Sequence, residues 1–147
     1  MKHFGLIAGL CGLALVGAGC GGDDDNGPLS YDDTGTEISA ICAEVNDLGE
    51  GLNGDPENDA PILAEEAPKF EAAINEVREL EVNEELESIR DAFVANGEEQ
   101  LALVEEAQRQ AEAGDRKAYI KTLRSGQEVD QESNELANQL GAEECVT

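Results

Sequence analysis

From Glu37 to Leu140 apolar residues return every third or fourth position, and no stretch alternates convincingly over the length of a strand. At about 3.6 residues per turn, only an α-helix gathers such positions onto one face. The pattern predicts four helices. In the first, Thr34 and Glu37 have capping-box spacing, and Ile38, Ile41, Cys42, Val45 and Leu48 share a face until Gly49 and Gly51 stop it. Residues 49–58, with three glycines and Pro56, read as a loop.

Asp59 is the expected N-cap of the second helix, with Pro61 in its first turn and Leu63, Ala67, Phe70, Ile74, Val77 and Leu80 as its core stripe. Pro68 lacks an N–H and clashes with the carbonyl of Ala64, which predicts a kink or a break. Asn83 should cap the third helix, whose buried face is Leu86, Ile89, Phe93, Leu101 and Val104. Gly114 and Asp115 form a stop-and-restart pair. The fourth helix then runs from about Arg116 to Leu140 and ends at Gly141, with a thinner face of Ile120, Leu123, Val129, Leu136 and Leu140. Gly97 and Gly126 interrupt the last two helices, marking either close helix packing or space for a ligand.

Charge limits how much such helices can bury. The 147 residues carry 34 Asp and Glu against 9 Lys and Arg, a formal net charge of −25. Leu, Ile, Val and Phe make up only about a fifth of the chain after Gly19, the boundary at which highly charged chains fail to fold. A covalent closure would help, and the chain supplies one. Cys42 lies early in the first helix and Cys145 just beyond the fourth; an up-down topology brings these points to the same end. The expected fold is therefore all-α, an up-down four-helix bundle closed by a Cys42–Cys145 disulfide and preceded by a flexible tether.

The N-terminal segment reads as an address. Lys2 and His3 precede an uncharged apolar and glycine run from Phe4 to Ala18, too short to span a bilayer but suited to a signal peptide. The run closes in Val16-Gly17-Ala18-Gly19-Cys20, which resembles the lipobox of bacterial lipoproteins, although Gly17 stands where an aliphatic residue is usual. By that resemblance residues 1–19 are a signal peptide, removing Cys11 with them, and Cys20 is lipidated on sulfur as the first mature residue. Residues 20–36, with Asp23-Asp24-Asp25 and several glycines, should form a solvated acidic tether, and residues 37–147 the bundle. The expected location is the cell membrane, lipid-anchored through Cys20 on the extracytoplasmic side.

Three stretches extend the resemblance to a broad group of small bacterial lipoproteins common in actinobacteria. They are Cys20-Gly21-Gly22-Asp23-Asp24-Asp25, Ile41-Cys42-Ala43-Glu44-Val45-Asn46, and Ala137-Asn138-Gln139-Leu140-Gly141 with Cys145. The resemblance implies location, a helical domain and a disulfide between the two late cysteines; it names no activity.

The chemistry that could carry an enzyme is missing. The sole His, His3, leaves with the signal, so no Ser or Cys nucleophile finds an imidazole and no zinc site can be assembled. No cofactor is expected, and the acidic surface excludes nucleic acid. Adjacent acids such as Glu84-Glu85 and Glu105-Glu106 read as solvated helix faces rather than an acid/base pair. Asp55, Glu57, Asp59 and Glu66 match positions 1, 3, 5 and 12 of a calcium loop, a weak candidate because Ala60 and Pro61 replace the turn it needs. Arg116, Lys117, Lys121 and Arg124 cluster in the fourth helix, a candidate docking patch for an acidic envelope protein unless neighbouring acids pair with them. Two non-enzymatic functions follow: a lipid-anchored structural or interaction module, or a module binding a cation, polyamine or small apolar ligand. An apolar pocket between the helices would favour the second.

Overall fold

A computed structural model describes residues 27–146. The expected signal peptide, Cys20 and the first part of the expected tether lie outside the described residues. Helices α1 (Tyr31–Val45), α2 (Pro56–Glu79), α3 (Glu84–Glu112) and α4 (Arg116–Leu140) are followed by a 3₁₀ turn at Glu143–Cys145. Short connections after α2 and α3 make successive helices antiparallel. Helix α3 lies between α2 and α4 and packs along both, whereas α2 and α4 scarcely touch. Helix α1 has 15 residues against 24, 29 and 25 in the others, so it covers only part of the groove they form.

The core divides between the two ends of the bundle. At one end Ile38, Ile74, Val77, Val94, Leu140 and Cys145 are buried together. At the other, Leu63, Ala107, Ala111 and Tyr119 form a second cluster, against which Leu52 and Leu123 pack. The Cys42–Cys145 disulfide spans 103 residues and joins α1 to the final turn, as the topology predicts.

Three helix boundaries differ from the sequence expectation. Helix α1 starts at Tyr31, so the tether ends at Ser30 rather than Thr36. Ser30 is its N-cap, accepting the Asp33 N–H at 3.3 Å, with Asp32 and Asp33 at the positive end of the helix dipole. Thr34, expected to cap, is instead fully buried inside the helix, and its hydroxyl has no hydrogen-bond partner among the described residues. Gly35 follows because nothing larger fits: a Cβ on it would stand 2.6 Å from the Gly141 carbonyl oxygen. Helix α1 also ends at Val45, which leaves Leu48 in the connecting loop.

Helix α2 starts one turn earlier than expected. Asp55 caps it by accepting the Glu57 N–H at 3.2 Å, and Pro56 occupies the first turn, where its missing N–H costs nothing. Asp59 therefore falls inside the helix. The helix continues unbroken through Pro68, held by the packing of Phe70, Ile74 and Val77 beyond it. The later boundaries agree with expectation: Asn83 occupies the N-cap position of α3, and Asp115 caps α4 by accepting the Ala118 N–H at 3.0 Å. Gly141 ends α4 at φ 72°, the left-handed conformation that favours glycine.

The arriving chain is pinned to the α2–α3 connection by a short parallel bridge between Leu29 and Val82. Leu29 donates its N–H to Glu81 at 2.6 Å and accepts that of Asn83 at 3.2 Å. Because α1 buries few side chains of its own, the disulfide should dominate its attachment. Replacing Cys42 and Cys145 by Ser should lower unfolding free energy by about 2–5 kcal/mol in denaturant titrations, with α1 amides losing hydrogen-exchange protection first.

Candidate functional site

The helices line an apolar cavity of about 330 Å³, open to solvent, in the groove that α1 only partly covers. Ile41 and Val45 of α1, Phe70 of α2, Phe93 and Val104 of α3, and Leu123 of α4 contribute to its walls. The two glycines of the later helices prove unlike. A Cβ on Gly97 would meet the Ile74 side chain at 3.0 Å, so Gly97 serves close packing of α2 on α3. Both glycines border the cavity, but a Cβ on Gly126 would meet nothing within 4 Å. A short α1, the separation of α2 from α4 and the missing side chain at 126 together leave this space.

Polar residues of the lining are Thr122, Asp130, Ser133 and Asn134 on α4, with Asn46, Glu66 and Gln100 elsewhere. Asp130 is exposed at the mouth and makes no hydrogen bond or ion pair among the described residues. The apolar groups beside it withhold solvent and raise its carboxyl above the ordinary carboxylate range. Glu66 also borders the cavity, but it accepts the Gly49 N–H at 2.9 Å and so fastens the α1–α2 loop.

At the far end of the bundle Asp59 is fully buried, the group that sequence reasoning assigned to a cap. Its carboxylate accepts the Tyr119 hydroxyl at 2.6 Å, the Gly54 N–H at 2.8 Å and the Asn53 N–H at 3.0 Å. Burial pushes this carboxyl up, but the hydrogen bonds outweigh it and the net pKa falls below the ordinary 3.8. Burial and the bond to Asp59 raise the Tyr119 phenol. One signal could have found the pair: Asp59 stands four residues before Leu63, in register with the α2 core stripe, where a capping side chain would not point.

The calcium candidate does not assemble. Residues 56–66 are helical rather than a loop; Asp55 caps, Glu57 is exposed, Asp59 is buried against Tyr119, and Glu66 holds Gly49. Among the described residues no three His, Cys, Asp or Glu side chains are grouped to hold a metal ion. The basic cluster stays intact: Arg116, Lys117, Lys121 and Arg124 are exposed around a shallow depression that includes Ala118 and Ile120. Among the described residues none of them forms an ion pair within 4.0 Å; the four pairs found there belong to Lys69, Arg78, Arg90 and Arg109. No described helix is long and apolar enough to cross a membrane. Compared with known protein families, curated proteins and solved structures, the chain matches none.

The Asp59–Tyr119 bond makes a direct prediction. A carboxyl whose pKa is depressed on folding contributes stability that is complete above its unfolded value, and loses it as pH falls through the folded one. The contribution should therefore be present at pH 7 and fade below about 3.8. Asp59→Asn should cost about 2–3 kcal/mol at neutral pH and Tyr119→Phe about 1–2, because each leaves buried groups unpaired. Urea titrations at pH 7 and pH 3 should show the Asp59→Asn deficit shrinking in acid.

Proposed function

We propose that this chain is a lipid-anchored envelope protein whose helical domain binds a small, largely apolar ligand. The observation that carries the reading is the cavity of about 330 Å³ within the bundle, at the lower end of the size range of small-molecule sites. A bundle built only to display a surface would gain from filling that space. Side chains are instead absent from it: Gly126 leaves open room where any alanine would already fit.

The anchor reading rests on the apolar run and small residues before Cys20. Two or three acyl chains, at about 0.8 kcal/mol per buried CH₂, would make attachment effectively permanent. The nine residues from Cys20 to the Leu29 bridge would reach at most about 30 Å when extended, keeping the domain near the membrane. An interaction role stands as a second reading, favoured by the exposed cluster of Arg116, Lys117, Lys121 and Arg124 at the start of α4. In neither reading does the protein act as an enzyme.

Thermal unfolding of the oxidised domain tests the binding reading against the interaction reading. A ligand at 100 times its Kd should stabilise the fold by about 2.7 kcal/mol. Gly126→Leu should abolish that shift while leaving the unliganded midpoint unchanged or higher, since it fills space and removes a helix-interior glycine worth about 1 kcal/mol. Apolar ligands that stabilise both chains equally would place binding elsewhere and return the protein to the interaction reading. Labelled palmitate retained by the wild type and lost in Cys20→Ser would support the anchor.

A further inference from the structure

The sign of charge at the cavity narrows the ligand. Among the described residues no Lys, Arg or His borders the cavity, and the two ionisable groups there are the carboxylates Glu66 and Asp130. Glu66 is engaged by the Gly49 N–H at 2.9 Å. Asp130, on α4 at the mouth, makes no hydrogen bond or ion pair among the described residues. A carboxylate at the rim of an apolar cavity without a counter-charge is partly stripped of solvent, and a cation brought beside it relieves that cost. The chain as a whole, at −25, repels anionic amphiphiles and concentrates cationic ones around itself.

We propose that the ligand is a cationic amphiphile, an amine carried on an apolar body, with its ammonium group on Asp130 and its body against Phe70, Phe93 and Leu123. This rests on the binding reading and specifies the chemistry of its site. The apolar part supplies affinity by leaving water, and the single charge contact selects among ligands of equal size. The raised carboxyl of Asp130 is consistent with such a role, because an ammonium partner favours the charged form and would lower it again.

Three probes with one ten-carbon chain separate the contributions: decylamine, decan-1-ol and decanoate, titrated calorimetrically below their aggregation limits at physiological salt. The protein is the oxidised chain from residue 20 carrying Cys20→Ser; both hydrophobic clusters, the helix caps and the disulfide are formed within residues 30–145, so this chain retains them. Decylamine should bind roughly tenfold more tightly than decanol, the scale of one partly exposed charge-assisted contact, and decanoate weakest of the three. Asp130→Asn should erase the amine's advantage without changing decanol affinity; Asp130→Glu should restore it, and Glu128→Gln, outside the cavity, should leave it intact.

Equal binding of decanol and decylamine would overturn the charge assignment and leave the binding reading standing. An amine advantage that survives Asp130→Asn would trace it to the general field of the protein and equally overturn the role of Asp130. Failure of all three probes to bind would overturn both readings.

Discussion

Helix α1 meets the rest of the bundle with three buried residues, Thr34, Gly35 and Ile38, and two of these offer almost no apolar surface. What keeps it in place is the Cys42–Cys145 bond, which ties it to a turn that itself continues from α4. Closing a loop of 103 residues removes conformational freedom worth up to about 4.7 kcal/mol from the unfolded chain on the entropic account. In a protein with so few large apolar residues, that is a substantial part of a typical total stability of about 5–15 kcal/mol. The position of α1, and hence the wall it gives the cavity, depends on a bond that needs an oxidising compartment to persist. The secretory reading of the N-terminal segment and the covalent design of the domain are therefore mutually consistent.

The opposite end solves the same shortage by polar means. Asp59 and Tyr119 join the start of α2 to the start of α4, two helices that otherwise scarcely touch. Asn53 and Gly54 donate to the same carboxylate, so one buried charge also shapes the loop that leads into α2. A charge in that position stabilises only because each of its bonds is made. Asn96 acts similarly midway along the bundle, passing its side-chain N–H to the Val129 carbonyl at 3.3 Å to link α3 with α4. The helices are thus held at fixed points, by a disulfide at one end and hydrogen bonds elsewhere, and are not required to close upon one another between those points.

That division explains what the residues disclosed and what they did not. Apolar spacing identified all four helices, because burial of a stripe depends on period alone. The disulfide followed from topology and cysteine count. Caps were misread where two candidates competed: Ser30 with Asp33 offered the same chemistry as Thr34 with Glu37, and the close approach of Gly35 to Gly141 decided between them. Asp55 and Asp59 posed the same ambiguity, and there the distant Tyr119 decided it. The cavity was legible only as a question about Gly97 and Gly126, identical residues in similar helical settings. Periodicity specifies which face turns inward but not how far the facing helix stands, so one glycine became a packing contact and the other an opening.

The open space also bears on stability. Deleting core volume costs about 24 cal/mol per Å³, so a sealed void of 330 Å³ would cost on the order of 8 kcal/mol. A domain with this little core could not carry that loss and remain folded, and the groove avoids it by opening to solvent. Even so, apolar walls left in contact with water forgo about 25 cal/mol for every Å² that a side chain or ligand could have covered. An alanine at Gly126 would already recover part of that, since nothing stands within 4 Å of a Cβ there. A sequence already weakened by a net charge of −25 keeps a defect that a single substitution would reduce. Binding supplies the missing contact from outside, so that on the proposed reading the ligand completes a core the chain leaves unfinished, and stability and occupancy become two measures of the same interaction.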